Sequence, residues 1–183
     1  MLGSEVTIEA QGKPRIQLIL HNIRSTYNVG AILRTAEGLG VESVCYSGYT
    51  PRYNDHRLLP HLRTKLNHQI AKSALGAEEM VPQTYIDDLE TWLKSQAGLI
   101  LGLENNLTPS EISQRLILGQ DVLPRSKKSP QNLILILGEE VAGIPDAIRS
   151  LVDYFLEIPM VGRKESFNVS IATAIALWGL LNH

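Results

Sequence analysis

The sequence predicts an α/β protein, with a mainly parallel sheet covered by helices on both faces. Two observations support this fold class: strand-like runs alternate with helical ones along the whole chain, and residues 16–20, 98–103 and 133–137 form almost wholly apolar runs. The 183 residues, 44% of them hydrophobic and 20% charged, suffice for one domain with a sizeable core. We therefore expect a single domain over residues 1–183, with a flexible segment at 1–14.

The elements follow from periodicity and from turn residues. Residues 16–20 form the first strand, and apolar residues at three- and four-residue steps predict a helix over 28–39, with Asn28 as its N-cap. The Gly- and Pro-containing segments 47–65 and 105–132 are expected to be long loops, the second with a short helix at its start. The remaining elements are strands at 43–46, 80–81, 98–103, 133–137 and 154–158, and helices at 66–75, 86–95, 109–116, 145–152 and 168–181.

Composition limits the possible functions. The net charge of −2 means that binding of nucleic acid requires a local basic face. Residues 52–72 carry five Lys or Arg and three His against one acid, which indicates either a phosphate-binding loop or simply a solvated one. The spacing of the three His matches no common zinc pattern, so we expect no metal.

The chain is expected to be cytoplasmic. Cys45, the one cysteine, stands in an apolar run and is expected to be a buried small hydrophobe, which fits a reducing compartment. The polar N-terminus predicts no signal peptide, and no apolar stretch reaches the roughly 18 residues that a membrane span needs.

Three segments carry polar residues where predicted strands end. After the first strand, Asn28 and Arg34 flank Gly30 in the first turns of a helix, where either side chain could reach a ligand. A cap and a surface arginine would explain the same pair. Glu139 and Glu140 follow an apolar strand at the edge where open α/β sheets bind ligands, although helix-capping acids are the alternative.

The third segment follows the last strand. Ser166 and Asn168 begin the final helix beside Arg163 and Lys164, so one of them is expected to be an N-cap, and together they suit a polar or anionic group. Neither a phosphate-binding P-loop nor the dinucleotide motif G-x-G-x-x-G is present.

In order, these segments resemble motifs one, two and three of the SpoU (TrmH-type) class of SPOUT RNA methyltransferases. The resemblance covers roughly residues 16–181. The matching residues are Asn28-Val-Gly-Ala-Ile-Leu-Arg34, Leu137-Gly-Glu-Glu140 with Gly143, and Ile158-Pro-Met160 with Ser166-Phe-Asn-Val-Ser170.

The resemblance implies a SPOUT-type fold whose C-terminal part forms a trefoil knot, with S-adenosylmethionine held by backbone groups of three loops. Phe167 stands where the family usually has Leu, so its bulk is expected to alter the adenine pocket. The cofactor-binding residues implied are Leu103, Glu104, Gly138, Ile158, Met160 and Phe167.

The activity implied is methyl transfer by a homodimer to a ribose 2′-hydroxyl of tRNA or rRNA. Because arginine keeps its proton in proteins, we expect Arg34 to clamp a phosphate and stabilise charge on the 2′-oxygen. Glu140, at the position of the acid in Gly-x-Glu-x-x-Gly, is expected to orient Arg34 or Asn28. The catalytic residues implied are Asn28, Arg34, Glu140, Ser166 and Asn168.

RNA contact is expected to come from the domain itself, since the sequence shows neither the extra N-terminal RNA-binding domain nor the basic C-terminal extension of some members. The candidates are Arg57, Arg63, Arg163 and Lys164. A non-catalytic RNA-binding member of the same fold and an unrelated α/β oxidoreductase are the alternatives. The first would be expected to have lost catalytic residues, and the second lacks its dinucleotide motif here.

Overall fold

The structure, a computed structural model, describes residues 14–119 and 132–182. Its strands are β1 (Arg15–His21), β2 (Ser43–Ser47), β3 (Gln83–Ile86), β4 (Leu99–Leu103), β5 (Arg115–Ile117), β6 (Asn132–Leu137) and β7 (Tyr154–Glu157). They form one sheet in the order β3-β2-β1-β6-β4-β7-β5, and all neighbouring strands are parallel. The predicted α/β class is therefore confirmed, while the knot remains a prediction. The flexibility of residues 1–14 also remains a prediction, since residues 1–13 lie outside the described part.

Helices contribute to the core on both faces of the sheet. Along β6, Leu133, Leu135 and Leu137 join one hydrophobic cluster, while Ile134 and Ile136 join the other. The helices are α1 (Thr26–Gly38), α2 (Pro60–Ala74), α3 (Ala77–Met80), α4 (Leu89–Lys94), α5 (Asp146–Arg149) and α6 (Val169–Leu181). The first cluster includes residues of α1, α2, α3 and α6, and the second includes residues of α4 and α5.

The strand order brings distant parts of the chain together. Strand β6 pairs with β1 on one side and β4 on the other, although more than a hundred residues separate β1 from β6. The loops that leave the carboxyl ends of β1 and β6 therefore meet at the point where the strand order switches, which is the usual ligand edge of an open α/β sheet.

The predicted N-cap of α1 is wrong. The helix begins at Thr26 and its N-cap is Ser25, whose hydroxyl accepts a hydrogen bond from the Asn28 backbone N–H at 3.3 Å. Asn28 lies in the first turn and is buried, so its side chain is free to take part in tertiary contacts.

Several other boundaries differ from prediction. Helix α2 begins at Pro60, so the loop predicted over 47–65 is shorter than expected. The first turns of α2 are mostly exposed and carry little apolar periodicity, which is why the sequence did not indicate them as helical. The predicted strand at 80–81 is wrong, because Met80 ends α3 and the pairing with β2 selects residues 83–86.

The shorter helices are trimmed by their caps and by pairing in the sheet. Asp88 caps α4, so the helix predicted over 86–95 covers only 89–94. The helix predicted over 109–116 is a single 3₁₀ turn, Ile112–Gln114, because the next residues pair with β7 as edge strand β5. The helix predicted over 145–152 is confined to α5.

Candidate active site

Three polar residues from the three motifs meet at the switch point of the sheet. The Asn28 amide nitrogen donates to Glu140 Oε1 at 3.0 Å, and the Asn28 amide oxygen accepts from Asn168 Nδ2 at 3.2 Å. We refer to Asn28, Glu140 and Asn168 as the amide–carboxylate cluster. Asn28 is only 8% exposed, whereas Glu140 and Asn168 are exposed to solvent.

Local structure fixes each member of the cluster. Asn168 is the N-cap of α6, as expected for one of the two candidates, and its amide oxygen accepts the Ser170 backbone N–H at 2.9 Å. Glu140 reaches from the loop after β6 to the start of α1, where it accepts the backbone N–H groups of Arg24 and Ser25 at 3.1 and 3.3 Å. One carboxylate thus joins the loops that leave β1 and β6.

The protonation state of Glu140 follows from these contacts. Burial alone would raise its pKa, but the hydrogen bonds from the Arg24 N–H and the Asn28 amide outweigh this effect and lower it. Glu140 is therefore an ionised acceptor at neutral pH. This makes it an anchor for neighbouring groups and a poor general base.

A cavity lies beside the cluster and is lined by all three predicted cofactor loops. Its volume is about 90 Å³, well below the roughly 300–1,000 Å³ of typical ligand pockets. A nucleoside cofactor would therefore extend into solvent or displace part of the lining, of which Phe167 is 40% exposed. The lining residues are Leu103, Glu104, Asn105, Leu137, Gly138, Glu139, Gly143, Ile158, Ser166, Phe167, Val169 and Ala172.

The predicted cofactor residues divide into those that line the cavity and one that does not. Leu103, Gly138, Ile158 and Phe167 line it, and their apolar side chains and loop backbone suit an adenosine group. Met160 is half-buried and is not part of the lining.

Glu104 lines the cavity, but its carboxylate is already engaged. Its Oε1 accepts the backbone N–H groups of Asn105 and Asn106, and its Oε2 accepts that of Ile144. Arg149 completes this set with an ion pair of 3.3 Å to Glu104 Oε2. Glu104 thus holds the wall of the cavity in place.

Sequence reasoning missed Arg149, whose guanidinium joins the loops after β4 and β6. Its Nε and Nη2 donate to the two oxygens of Glu111, both at 2.6 Å, and Nη2 also donates to the Asn106 carbonyl at 2.9 Å. We refer to Arg149, Glu104 and Glu111 as the arginine cluster; their side chains are 10–14% exposed. An arginine in a short helix gives no signal of such contacts in the sequence.

Arg34 does not reach the amide–carboxylate cluster within this chain. It lies six residues beyond Asn28 on α1, which places it roughly 9 Å further along the axis and about 240° around it. The side chain is exposed and makes no hydrogen bond or ion pair with residues 14–119 or 132–182. Ser166 is exposed at the mouth of the cavity and likewise has no hydrogen bond within the described residues.

The predicted RNA-binding arginines differ in their surroundings. The Arg57 guanidinium donates to both oxygens of Asp55 and lies 4.2 Å from the Tyr85 ring centroid, so it stabilises its own loop. Arg63 Nη1 is 2.8 Å from His56 Nδ1. Arg163 and Lys164 are exposed after β7, and neither forms an ion pair with the described part of the chain.

Comparison with known proteins identifies the family. The sequence matches the SpoU rRNA methylase family over residues 15–178. The chain belongs to this family. The predicted SpoU class is therefore confirmed.

Relatives of this SpoU chain are RNA methyltransferases. The 23S rRNA (guanosine-2′-O-)-methyltransferase RlmB of Pseudomonas putida is 28% identical over 176 residues, which are 95% of this chain and 61% of that protein. An AdoMet-bound rRNA methyltransferase of Sinorhizobium meliloti has the same fold, with a TM-score of 0.71 and 20% identity, over 92% of this chain and 56% of that one. The A. aeolicus TrmH/SpoU tRNA modifying enzyme matches with a TM-score of 0.64 and 20% identity, over 92% and 75% of the two chains. This chain thus spans less than two thirds of the first two proteins.

The described part of the chain shows neither a membrane-spanning helix nor a metal-binding cluster. Residues 14–119 and 132–182 hold no helix that is long and apolar enough to cross a membrane. The same residues contain no cluster of three or more His, Cys, Asp or Glu side chains that could hold a metal ion.

Proposed function

We propose that the chain is an S-adenosylmethionine-dependent methyltransferase that acts on a ribose 2′-hydroxyl of tRNA or rRNA. The observation that carries the proposal is the amide–carboxylate cluster, in which hydrogen bonds join Asn28, Glu140 and Asn168 beside the cavity. Membership of the SpoU family, whose relatives include a 23S rRNA 2′-O-methyltransferase, supports it.

The residues around the cavity fit S-adenosylmethionine in kind. Leu103, Leu137, Ile158 and Phe167 offer an apolar surface to adenine, and the acidic residue Glu139 is also part of the cavity lining. When bound there, the cofactor supplies an electrophilic methyl group on a positively charged sulfur.

The protein's own task is to align the hydroxyl and stabilise the charge that develops on its oxygen. Glu140 holds the Asn28 amide, which in turn accepts a hydrogen bond from the Asn168 amide, so the two amides provide a fixed polar wall at the mouth of the cavity. Arg34 supplies positive charge to the 2′-oxygen and to a neighbouring phosphate. The hydroxyl proton passes to phosphate or water, because arginine keeps its own proton.

We also propose that the active unit is a homodimer in which Arg34 acts at the site of the partner subunit. Arg34 does not reach the cluster of its own chain, and it adjoins an exposed apolar groove between α1 and α6. Helix α6 has no charged residue, yet Trp178 is 63% and Ile171 52% exposed, as expected for a face covered by a second copy. The groove is lined by Thr35, Gly38, Leu39, Ala174, Ile175 and Trp178.

The partner and location proposals follow from the same reasoning. Arg163 and Lys164 are better placed to contact phosphates than Arg57, whose guanidinium is held by Asp55. A cytoplasmic location fits an RNA substrate and the free, buried thiol of Cys45.

A direct assay tests the proposed function. Purified protein is incubated with methyl-labelled S-adenosylmethionine and unmodified tRNA or rRNA, and we expect label on a ribose. The position is established by alkaline hydrolysis, which cannot cleave after a 2′-O-methylated nucleotide. Tight RNA binding without any transfer would favour the non-catalytic alternative, and label on a base would contradict the proposed chemistry.

A further inference from the structure

The turn after β2 holds an exposed tyrosine beside the amide–carboxylate cluster. Tyr49 is 58% exposed, although its backbone is fixed by the loop that leaves β1. Its N–H donates to Asn22 Oδ1 at 3.2 Å, and the Asn22 N–H donates in turn to the Ser47 carbonyl at 3.3 Å. The ring is thus presented to solvent from a rigid support.

Side-chain contacts make this turn unusually well defined. The Asn22 amide donates to His21 Nε2 at 3.1 Å, so the other ring nitrogen of His21, 2.8 Å from Ser47 Oγ, carries the proton. Burial lowers the pKa of His21, which keeps this neutral form at physiological pH. Thr50 Oγ1 donates to the Leu20 carbonyl at 2.9 Å and accepts the Ile23 N–H at 3.0 Å.

Gly48 allows this arrangement and no other residue would fit. Its φ is +61°, and a Cβ there would lie 1.9 Å from Asn22 Oδ1, the atom that accepts the Tyr49 N–H. Glycine at position 48 therefore allows the Tyr49 backbone to contact the loop that leaves β1.

Arg24 lies in the same loop as the residue that holds Tyr49. The Tyr49 N–H donates to Asn22, two positions before Arg24. The Arg24 backbone and side chain contact Glu140 and Glu139 of the loop after β6. In agreement with this placement, partial desolvation and the charges of Glu139 and Glu140 raise the pKa of Tyr49, and the charge of Arg24 opposes them.

The Arg24 side chain is 70% exposed and 3.6 Å from Glu139. The Glu139 side chain is only 10% exposed, but its carboxylate also accepts the backbone N–H groups of Val141 and Ala142. Glu139 therefore keeps hydrogen-bond donors when the exposed Arg24 guanidinium binds a phosphate instead.

We propose that Tyr49 and Arg24 form a nucleotide-binding site in which the Tyr49 ring stacks against a base and the Arg24 guanidinium binds a phosphate of the RNA strand that enters the active site. A fixed aromatic ring next to an exposed guanidinium is the combination that binds single-stranded nucleic acid. The inference rests on the proposed function and assigns Tyr49 and Arg24 a role in holding the nucleotide.

The first test separates stacking from charge. Binding of unmodified tRNA is measured over a range of salt concentrations for wild type, Tyr49→Phe and Tyr49→Leu. Loss of the ring in Tyr49→Leu should weaken binding about tenfold with an unchanged salt slope, whereas Tyr49→Phe should stay within about twofold because it keeps the ring. Both variants keep the backbone N–H that holds the turn, so their unfolding midpoints should match wild type.

The second test uses a matched pair of arginines. Arg15 forms an ion pair of the same length, 3.6 Å, with a side chain 69% exposed, but it lies at the opposite end of β1. Arg24→Gln should reduce the slope of log K against log salt by about 0.7, and Arg15→Gln should leave it unchanged. Equal slopes for the two variants, or normal binding by Tyr49→Leu, would overturn the site.

Methyl transfer by the wild type is a separate readout. If the wild type methylates RNA while these variants bind normally, the nucleotide site is wrong and the proposed function stands. If the variants behave as expected while the wild type transfers no methyl group, the proposed reaction is wrong and the nucleotide site stands.

Discussion

The amide–carboxylate cluster and the arginine cluster lie at the same edge of the sheet, yet they satisfy their charges differently. In the arginine cluster, a guanidinium lies between two carboxylates, and all three side chains are nearly buried. In the amide–carboxylate cluster, Glu140 is exposed, and its donors among the described residues are two backbone N–H groups and the Asn28 amide. The arginine cluster contains the cation that balances its carboxylates. The amide–carboxylate cluster has a carboxylate and no side-chain cation of its own.

The largest expected effect comes from removing Arg34, the cation that we propose acts at the amide–carboxylate cluster of the partner subunit. Arg34→Ala should reduce methyl transfer by about 10³-fold, while the Kd for S-adenosylmethionine stays within about twofold because Arg34 is not part of the cavity lining. Single-turnover kinetics measure the rate of methyl transfer, and equilibrium dialysis measures the Kd for S-adenosylmethionine. Normal turnover of this variant would remove Arg34 from the mechanism.

Mixed dimers sharpen this prediction. When Arg34→Ala and Asn168→Ala subunits are combined, a site shared between subunits leaves one intact site in each mixed dimer. About a quarter of wild-type activity should then return. A mixture as inactive as its two parents would place Arg34 and Asn168 in the same subunit's site.

Substitution in the arginine cluster should mainly lower the free energy of unfolding. Arg149→Met leaves Glu104 and Glu111 nearly buried without a countercharge, which should cost about 3 kcal/mol and lower Tm by about 10 °C. As a control, Arg115→Met removes the more exposed pair with Glu157, whose Arg side chain is 39% exposed, and should cost less than about 1 kcal/mol. Thermal unfolding that fails to distinguish the two variants would contradict a structural role for Arg149.

The same cluster predicts a dependence of stability on acid. The Arg149 guanidinium lowers the pKa of Glu111 from 4.5 to about 2. The stabilisation from this lowered pKa is present above 4.5 and is lost as pH falls toward 2, since the unfolded chain binds the proton first. Unfolding midpoints should therefore drop less between pH 4.5 and pH 2 in Glu111→Gln than in wild type, and parallel curves would contradict the pairing.

The smallest expected effect concerns the cavity between the two clusters. Phe167 lines this cavity of about 90 Å³, and the family resemblance predicts that its bulk alters the adenine pocket. Phe167→Leu should lower the Kd for S-adenosylmethionine about threefold, roughly 0.7 kcal/mol. Calorimetric titration measures this change, and weaker binding would mean that the ring forms part of the binding surface.

Prediction from sequence was most successful where a pattern is local. The apolar run of β6 is found as predicted, and Asn168, one of the two N-cap candidates, caps α6, because strand burial and helix capping depend on neighbouring residues. Strand β5 was missed, since three residues at the edge of a sheet carry little signal until β7 lies beside them. RNA binding by Arg57 remains a prediction, and the contact of Arg57 with Tyr85, which lies 28 positions away, has no trace in the sequence.

Local patterns were enough to predict the fold class, the family and the three motif segments, because periodicity and residue spacing are properties of short stretches of chain. Which of the polar residues meet depends on contacts between distant parts of the chain. In the folded chain, Asn28 contacts Glu140 across 112 positions, Arg149 pairs with two carboxylates, and Arg34 is exposed. These outcomes depend on the insertion of β6 between β1 and β4, a long-range pairing that sets which loops share an edge.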